Sequence, residues 1–242
     1  MHGTNAALTL ETQAGAPLTV DVTVNGTAVI CDRAGVAWLP GSGVLVVSDL
    51  HLEKGAAYAR RGMMLPPYDT AMTLARLAAA IARYNPRLVV SLGDSFHDRK
   101  GSAHLPECYR EQLQALQHGR AWTWIEGNHD PDRPVGLEGD FCSELKVETL
   151  NFRHEPKPGM TDGEIAGHLH PAARVVRRGK GVRRPCFASD GKRLLMPAFG
   201  ATTGGLELRH PAMRGLFDRS RLMAHLIGKE RIYSVAFSRM NG

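Results

Sequence analysis

Seven side chains able to ligate metal ions follow one another through the middle of this chain. Asp49 and His51 come just after the apolar run Val44 to Val47, and Asp94 follows Gly93 at the end of Leu88 to Leu92. Asn128 follows Gly127 after Ala121 to Ile125, with His129 next to it outside the seven. His154 lies in Arg153-His154-Glu155-Pro156, and His168 and His170 lie in Gly167-His168-Leu169-His170-Pro171. Residues two apart in an extended segment point to the same side, so Asp49 with His51 and His168 with His170 form two same-side pairs. Gly93 and Gly127 let the backbone turn sharply and bring the next side chain close to an ion. A lone Asp-x-His is an everyday surface pattern. Asp49, His51, Asp94, Asn128, His154, His168 and His170 together supply seven oxygen and nitrogen donors, a set suited to two divalent metal ions with the Asp94 carboxylate between them. None of the donors is a cysteine, which argues against a structural zinc site.

The elements that must hold these residues are legible in the hydrophobic pattern. Val44-Leu45-Val46-Val47 and Leu88-Val89-Val90-Ser91-Leu92 read as strands buried on both faces, and Ala121 to Ile125 as a third. Between the first two, Leu74, Leu77, Ala78 and Ile81 recur at helical spacing until Asn85-Pro86 ends the helix. A weaker helical stretch around Leu113 and Leu116 ends at Gly119. Strand, helix, strand, helix, strand is a parallel α/β unit, and ligands of such sheets bind beyond the carboxyl ends of the strands, where Asp49, Asp94 and Asn128 fall. Before Val44, alternating residues on either side of Asn25-Gly26 predict a small antiparallel β hairpin. Short strands are expected after Asp140, at Val147 to Phe152, Glu164 to Ala166, Ala173 to Val176, Leu194 to Pro197 and Tyr233 to Phe237. No repeat or linker interrupts the chain. It reads as one domain over residues 1–242, with the hairpin addition in 1–43, the motif-bearing core in 44–171 and a basic part in 172–242.

Composition narrows the field further. A chain of 242 residues with 43% apolar and 22% charged residues is neither disordered nor fibrous. No apolar run approaches the roughly 18 residues of a membrane span, and Met1 to Leu10 do not read as a signal peptide. Cys31, Cys108, Cys142 and Cys186 are widely spaced and read as reduced thiols, so a cytoplasmic location is expected. The net charge of +6 is uneven: from Pro171 onward fifteen Lys/Arg face four Asp/Glu, a balance of +11, leaving −5 for residues 1–170. The basic residues cluster at Arg174, Arg177, Arg178, Lys180, Arg183 and Arg184, at Lys192 and Arg193, and from Arg209 to Arg231. Such an excess is what a polyanion-binding surface would look like.

From Val44 to Pro171 the motifs Asp49-x-His51, Gly93-Asp94, Gly127-Asn128-His129-Asp130, His154 and Gly167-His168-x-His170 resemble the signature of calcineurin-like metallophosphoesterases. Asp49-Leu50-His51-Leu52-Glu53-Lys54, Gly93-Asp94-Ser95-Phe96-His97, His154-Glu155-Pro156, Arg184-Pro185-Cys186-Phe187 and Leu195 to Gly200 are similar to the branch associated with DNA ligases and the DNA damage response. The resemblance implies a four-layer α/β/β/α sandwich. It implies one metal held by Asp49, His51, Asp94 and His170 and another held by Asp94, Asn128, His154 and His168, with Asp94 and His129 as catalytic residues. His129 would neutralise or protonate the leaving oxygen while metal-activated water attacks phosphorus in line. Two divalent cations against two carboxylates leave a net +2 that attracts a phosphoester and stabilises charge on its transition state. Hard oxygens mixed with imidazoles suit manganese, with iron or zinc also compatible. One position departs from the broad family, which usually continues Gly-Asp-x-x-Asp: here it is His97, with Asp98 next. His97, Asp98 and Asp130 therefore all stand as groups that could orient His129, and Glu155 as one that could orient His154.

The expected activity is hydrolysis of phosphodiester bonds, in DNA on the strength of the branch resemblance and the basic carboxyl-terminal part, with a role in DNA repair and a ligase and a helicase as implied partners. Arg174, Arg177, Arg178, Lys180, Arg183 and Arg184 are the expected backbone contacts. Two alternatives stand beside it. One is a small-molecule phosphodiesterase or nucleotide-lipid pyrophosphatase, with Leu216, Leu222, Met223 and Leu226 as an apolar entrance or as ordinary core. The other is a metal-free protein-binding scaffold.

Overall fold

The computed structural model describes residues 18–63, 68–177 and 180–240. β1 (Thr19–Val24) and β2 (Thr27–Asp32) form the hairpin expected at Asn25-Gly26, both of which have positive φ. β3 (Ala37–Leu39) joins it antiparallel to β4 (Val44–Val47). From β4 the pairing turns parallel, through β5 (Leu88–Ser91) and β6 (Ala121–Ile125) to β7 (Asp140–Cys142). The hairpin thus extends the parallel sheet by its edge, in the order β1-β2-β3-β4-β5-β6-β7.

Among the described residues three helices cross between these strands: α1 (Lys54–Arg60), α2 (Asp69–Tyr84) and α3 (Glu107–Gln117). The predicted stripe of α2 is buried at Leu74, Leu77 and Ile81, with Ala80 in place of the half-buried Ala78. Its first turn carries Asp69, favourable at the positive end of the helix dipole, and Asn85 in the left-handed conformation closes it by donating to the Ile81 carbonyl. Leu74, Leu77, Ile81 and Leu113 pack with Leu45, Val47, Trp122 and Trp124 on one face of the first sheet.

The opposite face, with Val44, Val46 and Val90, packs on Phe152, Ile165, Phe187 and Leu194 of a second sheet. That sheet is built from β8 (Glu144–Val147), β9 (Leu150–Arg153), β10 (Glu164–Ala166), β11 (Pro171–Arg177), β12 (Lys180–Ser189), β13 (Arg193–Leu195), β14 (Leu206–Glu207), β15 (Met223–Ile227) and β16 (Ile232–Ala236). Its order is β14-β11-β12-β13-β10-β9-β8, with β15 paired to β12 and β16 to β15. The single strand expected over Val147 to Phe152 is two, because Glu148 (φ 54°) turns the chain between β8 and β9.

The outer face of the second sheet is covered, among the described residues, by the 208–222 segment and two 3-10 turns rather than by α-helices. Leu216, Leu222 and Leu226 are buried there with Phe217 and Phe237. They are core, and the apolar entrance considered for a lipid substrate does not form from them. The architecture is a sandwich of two facing sheets with helices outside the first, and its fourth layer is, among the described residues, mainly loop.

Candidate metal centre

Every one of the seven donor residues lies beyond a strand end or in a loop leaving one, on the same edge of the two facing sheets. Asp49 and His51 leave β4, Asp94 leaves β5, Asn128 leaves β6, and His154, His168 and His170 leave β9 and β10. The extended geometry expected for the two-apart pairs is not what brings them together. Asp49, His51, Asp94, His168 and His170 all have positive φ, of 54°, 44°, 47°, 65° and 45°. Such backbone costs about 1–3 kcal/mol per residue and persists only where the surroundings over-determine it. Here the loops after β4 and β5 are laced together: His51 N donates to the Asp94 carbonyl (2.9 Å), Leu52 N to Ser95 (2.9 Å) and His97 N to Leu52 (3.0 Å). Phe199 N and Gly200 N donate to the carbonyls of Ser48 and Asp49 (2.8 and 3.0 Å), fixing the first loop from the other sheet. Arg76 of α2 holds Phe199 in turn, donating to its carbonyl at 2.9 Å and lying 4.5 Å over its ring.

Two triads result. Asp49, His51 and His170 offer ligand atoms within 4.8 Å of one another, and so do Asp94, His154 and His168. Asn128 joins the second, its Oδ1 2.9 Å from both His154 Nε2 and His168 Nδ1. Asp94 faces both groups: Oδ2 lies 3.9 Å from His51 Nε2 and Oδ1 lies 3.4 Å from His154 Nε2. His154 Nδ1–H donates to the Leu92 carbonyl at 2.7 Å, which fixes the tautomer and turns Nε2 toward Asp94. Ser48 Oγ and His168 N both donate to Asp49 Oδ2, leaving Oδ1 to face His170 Nε2 at 2.9 Å. Close approach is built in: a Cβ on Gly127 would lie 2.2 Å from Asp94 N, and one on Gly167 would lie 1.9 Å from Ser48 Oγ.

The donor set fits two cations. Asp49 Oδ1 and His170 Nε2 are buried without a well-aligned hydrogen-bond partner. Asp49 and Asp94, 0% and 2% exposed, place two carboxylates in one pocket. Burial alone would raise both, but neighbouring histidines outweigh it; the hydrogen bond and charge of His154 with the His129 N–H hold Asp94 down at about 2. Against the burial that would lower it, the same carboxylates push His154 up to about 9, the sign of a site that draws positive charge. Burial pushes His51 down to about 3, keeping its imidazole neutral as a ligand must be.

His129 projects to the exposed side of this centre. Its N–H donates to Asp94 Oδ1 (2.9 Å), Nε2 is 3.8 Å from Asp94 Oδ2, and Nδ1 donates to the His97 main-chain carbonyl (3.0 Å). Of the three groups that could have oriented His129, it is thus the backbone of His97 that meets Nδ1, while the His97 ring stacks alongside with centroids 5.5 Å apart. Asp98 instead pairs with Arg60 (2.9 Å). Asp130 accepts from Phe96 N (3.0 Å), and burial pushes it up to about 7. Glu155 is exposed and makes no described hydrogen bond to His154, whose partner is the Leu92 carbonyl; the positioning considered for Glu155 is not seen. The positioning roles of Ser48, the Leu92 carbonyl and Arg76 have no signal in the sequence, because a lone serine, a carbonyl and a helical arginine carry no motif.

Arg183 and Arg184 line a cleft of about 190 Å³ together with His170, Thr203 and Gly205, so part of the basic group does lie beside the first triad. Arg174 is exposed opposite Arg183 in the β11–β12 register. Arg178 and the side chains of Arg177 and Lys180 lie outside the described residues. Arg193, counted with the basic clusters, is fully buried against Glu164 and contributes nothing to a binding surface.

A family model described as calcineurin-like phosphoesterase matches residues 43–191. The crystal structure of the Pseudomonas putida nuclease MPE superposes with a TM-score of 0.70 at 29% identity, covering 90% of this chain and all of that one. The 3',5'-cyclic adenosine monophosphate phosphodiesterase CpdA of Pseudomonas aeruginosa is 28% identical over 158 residues, 63% of this chain and 52% of that protein. The match thus spans about half the length of that curated relative.

Proposed function

This chain belongs to the calcineurin-like phosphoesterase family and is a hydrolase of phosphoester bonds, and from that premise we infer that its substrate is a phosphodiester of nucleic acid, cut at a dinuclear metal centre. The observation that carries the reading is the pair of triads with Asp94 facing both, beside a cleft lined by Arg183 and Arg184. In this reading Asp49, His51, Asp94 and His170 hold one cation and Asp94, Asn128, His154 and His168 the other. Manganese suits their mixed oxygen and imidazole donors, as iron or zinc would. The ions, when bound, supply Lewis acidity and a water of lowered pKa.

The chain's own residues do the rest. Leu92, Ser48 and the His168 N–H aim the donors. His129, anchored through Nδ1 on the His97 carbonyl, presents Nε2 beside Asp94, where a proton can be delivered to the departing oxygen. Arg183 and Arg184 engage phosphates flanking the scissile one. A place in DNA repair in the cytoplasm, beside a ligase and a helicase, is the setting that the branch resemblance favours for a single domain of this kind.

A second reading, a small-molecule diester such as a cyclic nucleotide, is favoured by the likeness to the cyclic-nucleotide phosphodiesterase and by the modest size of the cleft. A manganese-supplemented assay separates the two: single- and double-stranded DNA, a cyclic nucleotide and bis(p-nitrophenyl) phosphate are compared at equal enzyme. Efficient cleavage of DNA supports the nucleic-acid reading, and preference for the cyclic nucleotide with DNA untouched contradicts it.

A further inference from the structure

The Arg183–Arg184 cleft covers only one side of the metal centre. On the other side, where His129 and His97 lie, a second basic cleft of about 240 Å³ is lined by Arg60, Arg61, Asp98, Arg99, Lys100 and His104. Its one lining carboxylate, Asp98, pairs with Arg60, and Asp132 outside the lining pairs with Arg99, whereas Arg61 and Lys100 are exposed and form no ion pair among the described residues.

Helix α1 connects the two clefts. At its start Lys54 Nζ donates to the Thr202 carbonyl (3.1 Å), next to the Thr203–Gly205 wall of the first cleft, and at its end Arg60 reaches Asp98 in the second. Seven helical residues span about 10 Å, the length of roughly three phosphates on a stacked strand. Between the triads and the second cleft stand three rings: His129, His97 stacked on it, and Tyr58 with its centroid 5.3 Å from His97. Positive charge on both sides of a phosphoester-cleaving centre, with aromatic faces between, is how proteins hold a single strand, whose unstacked bases can lie on rings.

We propose that α1 and the 98–104 loop form the second half of a single-strand track, which runs from the Arg183–Arg184 cleft across the metal triads and the His129–His97–Tyr58 edge to Arg61 and Lys100. This rests on the nucleic-acid reading above and adds to it a side of the substrate that the basic carboxyl-terminal part does not reach. Arg61 and Lys100 contact phosphates several nucleotides from the scissile bond. The track therefore rewards length: a long single strand is bound better than a dinucleotide, which fills only the metals.

The test is the double variant Arg61→Gln/Lys100→Gln, both at exposed positions, with thermal melting to verify the fold. For a long single-stranded oligonucleotide the KM should rise roughly tenfold and the slope of log KM against log salt should fall by about 1.4, two contacts at about 0.7 each. The dinucleotide, too short to reach the second cleft, should not distinguish the variant from the unaltered protein. An unchanged KM and salt slope on the long strand overturns the track, and so does an equal loss on both substrates. The unaltered protein, assayed in parallel on bis(p-nitrophenyl) phosphate, keeps the layers apart. Hydrolysis of that small diester with no cleavage of any strand defeats the nucleic-acid reading and the track with it. Cleavage of strands that the variant does not alter defeats the track alone.

Discussion

At the scale of single residues, the site is decided by which atom of each side chain is left free to face its neighbours. Asp94 belongs to one triad and faces the other, with Oδ1 toward His154 and Oδ2 toward His51, and is proposed to serve both metals. Asp94→Asn should therefore release metal from both positions and nearly abolish hydrolysis. His129→Ala should keep the metal and lower turnover by about 10²–10⁴, the range for a lost general acid. Metal content measured with activity on each variant checks the pair, and full metal in Asp94→Asn or empty His129→Ala would reverse the roles. Gly127 is a sharper case: a methyl group there would meet Asp94 N at 2.2 Å and Asp94 Oδ1 at 2.5 Å. Gly127→Ala should displace the Asp94 loop and cost metal affinity as well as stability, read by metal titration and melting together. The donor identities were legible in the sequence because Asp, Asn and His after buried strands form a recognisable order. Their left-handed backbone was not, since positive φ at Asp49 or His170 is imposed by hydrogen bonds from distant loops and leaves no local trace.

At the scale of elements, the parallel unit β4-α2-β5-α3-β6 was readable because each piece carries its own period and stop signal, Asn85-Pro86 above all. Helix α1 was not, being seven residues with no apolar stripe. It is held by the buried Asp69, which accepts from Gly55 N at 3.0 Å, and by Thr70, which bonds Glu53. The second sheet was partly legible as short strands, but β12, which binds β11, β13 and β15, is recognisable only through its partners. Its stability rests on an element-scale tie invisible in sequence. Arg193 of β13 is buried against Glu164 of β10 and donates to the carbonyls of Lys157, Gly159 and Leu216. Removing one partner of a buried pair strands the other, so Arg193→Leu should cost about 3–5 kcal/mol in urea unfolding. A loss below 1 kcal/mol, about the worth of an exposed pair, would show that water reaches Glu164. In the same sheet burial pushes His225 of β15 down to about 4, with Ser234 Oγ 2.7 Å from its Nδ1. Between its unfolded value near 6.5 and about 4 the unfolded chain binds the extra proton, so this contribution to stability is present above that window and is lost as pH falls through it. His225→Leu should flatten the fall in unfolding free energy across that window by up to about 1.4 kcal/mol per pH unit, and an unchanged slope would contradict the burial argument.

At the scale of the whole molecule, the two triads and part of the basic charge share one edge. The strand ends of both sheets deliver the donors there, and basic residues from the carboxyl-terminal β11–β12 ribbon and from α1 border them. The uneven charge of the sequence pointed toward this only in part. Arg183 and Arg184 do line the site, Lys192 is engaged with Asp162, and Arg193 is core. Charge counted along a chain does not say which cations face one another in space. No described helix is long and apolar enough to cross a membrane. The most direct test of the account is the metal stoichiometry of the active protein. Chelator-treated protein should be inactive on bis(p-nitrophenyl) phosphate, and manganese titration should restore hydrolysis as bound metal, counted by elemental analysis, approaches two ions per chain, one for each triad. Undiminished hydrolysis by metal-stripped protein, or full activity reached with one ion bound, would contradict a dinuclear centre.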